Sequence, residues 1–146
     1  MAHGLDSLIR LERWRLDERR RLLARLVGRA DDLRAQAMRL EREIADEQDR
    51  ARDDPLGAGI AYPAYARAVI DRRARLSAVI AAAETEVAAA RDDLALAFRQ
   101  LKALEAAAAE RARQASLRAA RRDQAARDEI ALQRHRYRSY SESRVR

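Results

Sequence analysis

Few side chains in this 146-residue chain could carry covalent chemistry. Its two histidines, His3 and His135, lie at opposite ends of the sequence, so no paired-histidine metal site is suggested. Cysteine is absent, which excludes disulfides and thiolate metal sites. Ser7, Ser77 and Ser116 sit in helical stretches with no nearby histidine to activate them. Lys102, the only lysine, is followed by Ala103, and there is no glycine-rich phosphate loop. Carboxylates are plentiful but fall mostly at solvent-facing helix positions. The residues therefore point away from an enzyme and call for no cofactor. What remains is recognition through charge, aromatic anchors and helix packing.

The charge is unevenly placed. Residues 1–110 hold 20 basic and 20 acidic side chains. Residues 111–146 hold 11 arginines against Asp123, Asp128, Glu129 and Glu142, so the whole formal excess of +7 lies there. Arg111, Arg113, Arg118, Arg121 and Arg122 open this block and are candidate partner-binding residues. Such a block can bind nucleic acid, an anionic membrane or an acidic protein channel. The plain alternative is a solvated arginine-rich helix end. Lys102 and Glu105 are spaced as an i,i+3 surface pair. Asp128 and Glu129 form an acidic island in this basic context. Tyr62 and Tyr65 flank a turn, which they either cover or present to a partner. Trp14 either packs against Phe98 or joins Leu11 and Leu16 in an exposed patch.

These residues are carried by two helices too long for an ordinary domain, since globular helices average roughly 11–12 residues. Asp6 to Arg52 contains one glycine and no proline, and Ala64 to Tyr137 contains neither. The break between them carries Pro55, Gly57, Gly59 and Pro63. Abundant Ala, Leu, Arg and Glu reads as coiled coil or long helix. The expected fold is all-α: an antiparallel two-helix coiled-coil hairpin with a projecting basic C-terminal helix end. One coiled-coil domain is expected over 1–146, with helix 1 at about 6–52, the loop at 53–63, helix 2 at about 64–137 and a disordered tail at 138–146.

Leu26, Ala30, Leu33, Ala37, Leu40 and Ile44 form a heptad seam. Upstream, Leu8 and Leu11 lead through Arg15 and Glu18 to Leu22 and Leu26, which implies a stutter. The second arm reads Val69, Arg73, Leu76, Ile80, Ala83, Val87, Ala90, Leu94, Ala97, Leu101, Leu104 and Ala108. Folding back at the break places Leu40 near Leu76, Leu22 near Leu94, and Trp14 near Phe98 or Leu101. The second arm then overhangs by roughly 25 residues, ~35–40 Å at 1.5 Å per residue. Alanine supplies much of the single seam, and each missing methylene forgoes roughly 0.8 kcal/mol. A marginally stable, fraying hairpin follows. The opening residues have no secretory pattern, and no apolar run approaches the ~20 residues of a membrane span. A soluble, cytoplasmic protein is expected.

The opening LIRLERWRLDERRRLLARL, the later AFRQLKALE followed by ER, and DEIA in a basic context together resemble the FliJ family, a soluble component of the bacterial flagellar type III export apparatus. The resemblance implies a coiled-coil stalk within the hexameric export ATPase. It also implies contact with the cytoplasmic domain of the export gate and binding of export-substrate chaperones, peripheral to the inner membrane. The family's motif positions correspond to Lys102, Glu105, Asp128 and Glu129. The Tyr62–Tyr65 tip is a guess for the gate contact. Alternatives are the equivalent stalk of a virulence secretion system, an arginine-rich nucleic-acid-associated coiled coil, or a structural coiled coil that dimerises through its heptads. No specific nucleic-acid partner is expected on the export reading.

Overall fold

The computed structural model describes residues 2–143. Helix α1 spans Ala2–Asp53 (52 residues) and helix α2 spans Ala58–Ser143 (86 residues). The described residues include no strand. The expected all-α hairpin of long helices is the fold observed. The chain divides into two units: residues 10–100, and residues 1–9 with 101–146.

Residues 10–100 form the hairpin, and its turn is tighter than the loop expected at 53–63. Only Asp54 to Gly57 are non-helical. Asp54 explains why α2 starts so early. Its carboxylate accepts hydrogen bonds from the amides of Gly57 (3.0 Å) and Ala58 (3.3 Å), and its carbonyl accepts from Gly59 N–H (2.9 Å). That is N-capping, which satisfies amides a helix start leaves without partners. A Cβ at Gly57 would meet the Asp54 carboxylate, so a larger residue there would push the capping side chain aside. Pro63 lies inside α2 rather than at its first turn. The helix continues through it although the ring removes one amide donor.

The α1 seam steps evenly through Glu12, Leu16, Arg19, Leu23, Leu26, Ala30, Leu33, Ala37, Leu40, Ile44 and Glu47, all buried or half-buried. The alternation of fours and threes has no stutter, which corrects the upstream path through Arg15, Glu18 and Leu22. Leu22 is 43% exposed and Leu11 lies on the same outer face. The physical reason is that Leu16 and Leu23 hold the seam, while Glu12 and Arg19 lay their stems along it and keep their charges wet.

The α2 seam follows the expected positions with one change. Arg73 is exposed and pairs with Glu41 instead of entering the core. One core cluster is Ala30, Ala83 and Val87, backed by Leu23, Leu26, Val27 and Leu33. The other is Leu40, Ile44 and Val69, backed by Tyr65 and Leu76. The Leu40–Leu76 neighbourhood is thus as the register expected. Leu94 instead shares a groove with Leu16, Arg20 and Phe98, and Trp14 is 61% exposed rather than packed away. Leu40, 1% exposed, is the most deeply held large side chain, and burying a leucine stabilises by about 1.5–3 kcal/mol.

In the second unit, Ile9 and Leu101 are buried. Leu5, Leu104, Glu105 and Ala108 are half-buried, and every residue from Ala109 to Tyr140 is exposed. Residues 138–143, expected in a disordered tail, are helical here, and 144–146 lie outside the described residues. No glycine or proline interrupts this stretch, and Ser139 Oγ donates to Arg136 O at 2.9 Å. Helix 1 likewise begins before Asp6, at Ala2.

Candidate functional site

The seam of the hairpin is bordered by ion pairs that tie α1 to α2. Arg34 donates to Glu84 at 2.8 Å and Arg19 to Asp93 at 2.7 Å. Arg72 donates to Glu43 at 3.1 Å, Arg29 lies 3.7 Å from Glu86, and Arg73 pairs with Glu41. Arg73 holds the Glu41 carboxyl below its ordinary value, and Glu84, then Asp31, raise Arg34. These are solvent-facing pairs, worth little each in energy but decisive for which faces meet.

At the turn, the Tyr62 and Tyr65 rings sit 6.1 Å apart, tilted by 43°. Tyr65 packs on Leu40, Ile44 and Val69, and burial, helped by Glu47 and Glu43, raises its hydroxyl. Both tyrosines are half-buried beside the turn. The apolar surface shown to solvent there comes from Leu56 (85% exposed), Ile60 and Ile70, which the sequence reading did not single out. The available signal was a large aliphatic side chain inside the turn itself.

The other candidates lie in residues 101–146. Lys102 Nζ donates to Glu105 at 2.8 Å, the i,i+3 pair expected. Arg113 is bound to Glu110, which also accepts from Gln114, and together they lower the Glu110 carboxyl. Asp128 accepts from Gln124 (2.9 Å) and Glu129 from Gln133 (3.2 Å). The acidic island is therefore anchored by glutamines and not by its arginine neighbours. Arg111, Arg118, Arg121 and Arg122 are exposed and make no ion pair among the described residues. The candidates thus do not converge on one site: two tyrosines mark the turn and the rest are strung along α2.

Among the described residues no group of His, Asp and Glu could hold a metal ion, and no helix is long and apolar enough to cross a membrane. A long helical hairpin whose functional groups are surface charges and exposed apolar side chains belongs to the class of coiled-coil interaction proteins. The family model described as flagellar FliJ protein matches residues 1–139, and the chain belongs to that family. Neither the curated proteins nor the solved structures gave a match.

Proposed function

We propose that this protein is the soluble stalk of the flagellar export machinery. In this role it occupies the centre of the hexameric export ATPase, couples it to the cytoplasmic domain of the export gate, and escorts the chaperones of export substrates. It works without catalytic activity of its own, at the cytoplasmic face of the inner membrane, with the whole chain serving as one coiled-coil domain.

Family membership supports a flagellar export component over a virulence counterpart. The observation that carries the stalk role is the arginine-rich end of α2. Its arginines at 111, 118, 121 and 122 meet no carboxylate among the described residues, and a pore lined by acidic or carbonyl groups would complete them. Lys102, Glu105, Asp128 and Glu129 are the proposed contact residues along this stretch. Tyr62 and Tyr65 are proposed for the gate, beside the exposed Leu56 and Ile60. The test is ATP turnover by the export ATPase titrated with this protein. Stimulation saturating near one chain per hexamer is expected, and no stimulation at any ratio would overturn the stalk role.

A further inference from the structure

Beyond Leu101 the seam face of α2 continues, half-buried at Leu104 and Ala108 and with no facing helix among the described residues from Ala112 onward. Large or small apolar residues recur along it every eleven positions: Leu104, Ala115, Ala126 and Tyr137 form one series, and Ala108, Ala119 and Ile130 another. All share one face, because eleven residues make close to three helical turns. From Ala112 onward this face is open to water, Ile130 and Tyr137 included.

Arginines border it on both sides. At 3.6 residues per turn, Arg111, Arg118, Arg122 and Arg136 fall along one edge with Glu129 among them, and Arg113, Arg127, Arg134 and Arg138 along the other with Asp123, so both edges are mainly but not wholly basic. In the hairpin, border arginines such as Arg29, Arg34 and Arg72 meet carboxylates on the facing helix. Here Arg111, Arg118, Arg122, Arg127, Arg134 and Arg136 meet none among the described residues.

We propose that this face docks one helix of a partner protein, an amphipathic helix with an apolar stripe bordered by aspartates and glutamates. Charge complementarity selects it, since acidic borders would complete Arg111, Arg118, Arg122 and Arg136 on one edge and Arg127 and Arg134 on the other, as carboxylates do in the hairpin. A second copy of this chain fits less well, because each edge offers four arginines against one carboxylate, Glu129 on one side and Asp123 on the other. The small side chains at 112, 115, 119 and 126 let the partner backbone approach closely, near the short end of the 8–10 Å range of helix spacings. The eleven-residue period implies a nearly straight or slightly right-handed pair, unlike the left-handed winding that seven-residue repeats impose. This inference goes beyond the stalk role and stands whether or not the export ATPase supplies the helix.

The test uses the full chain and three labelled probes: a designed acidic-bordered helical peptide with an eleven-residue apolar repeat, a peptide of identical composition with the repeat scrambled, and a single-stranded oligonucleotide. The designed peptide is expected to bind at least about tenfold more tightly than the scrambled one, a measurable difference of about 1.4 kcal/mol. Arg118→Glu with Arg122→Glu should lose that binding, and a peptide with lysines at the facing border should restore it. Because residues 109–140 have no core to disrupt, helicity by circular dichroism should stay unchanged in that variant. Equal binding of the scrambled peptide or tighter binding of the oligonucleotide would overturn the proposal in favour of a plain polyanion surface. So would failure of the lysine peptide to rescue, or no binding of the designed peptide.

Discussion

The hairpin of residues 10–100 and the segment of residues 101–146 use the same helix-forming vocabulary to opposite ends. In the hairpin, leucine, isoleucine and valine fill a seven-residue seam, and carboxylates on one helix answer arginines on the other. In the other unit, alanine fills most of the stripe, and Arg111, Arg118, Arg122, Arg127, Arg134 and Arg136 on its borders meet no carboxylate among the described residues. One pattern closes on itself and the other is left for something else to close. Burial of apolar surface, not helix propensity, usually fixes a helix in place. The hairpin should therefore hold its structure better than the alanine-rich end, which should gain order from a partner.

The largest expected effect comes from breaking the hairpin's longer arm. Leu94→Pro removes an amide donor and clashes with the preceding turn, costing ~3 kcal/mol or more. Far-UV circular dichroism should show a substantial loss of helix, and an unchanged spectrum with retained function would mean that α2 need not be continuous there. Next comes the contrast between units. Leu40→Ala should destabilise by about 2–5 kcal/mol in a chemical melt, whereas Leu117→Ala, on the exposed end, should stay within about 0.5 kcal/mol. Equal effects would erase the distinction between a closed and an open seam.

A smaller effect is expected at the turn. Asp54→Ala removes the cap of α2 and should cost about 1 kcal/mol in the same melt. The smallest concerns the border pairs. Because Arg73 holds the Glu41 carboxyl below its ordinary value, that pair stabilises the hairpin at pH values above the unfolded carboxylate pKa. The contribution fades as pH falls through the lower folded value. Glu41→Gln should thus weaken the hairpin slightly near neutrality, and the difference should vanish once the pH falls below the lowered folded value of Glu41. A penalty that persists in acid would point to packing rather than charge.

How legible this was depended on which residues carried the signal. The α2 seam could be read directly, because Val69, Leu76, Val87, Leu94 and Leu101 repeat without a competing phase. The start of α1 misled, since Leu8, Leu11 and Leu22 suggest one face while Leu16 and Leu23, flanked by the long stems of Glu12 and Arg19, occupy another. Charged side chains that lie along a seam look polar in sequence and act partly apolar in the fold. The turn misled in the same way. Pro63 and Gly59 weigh as helix breakers, yet the Asp54 cap lets the helix start ahead of both. At the functional surfaces, the arginine block was plain from composition. Its division into two rows about an alanine-rich stripe emerges only once an unbroken α2 fixes the phase of every residue.

The most direct measurement compares export-ATPase turnover stimulated by the full chain and by a chain ending at residue 110, with helicity of both recorded by circular dichroism. Loss of stimulation by the shortened chain while its hairpin remains helical is the expected result. Unchanged stimulation by the hairpin alone would contradict the role given to the arginine-rich end of α2.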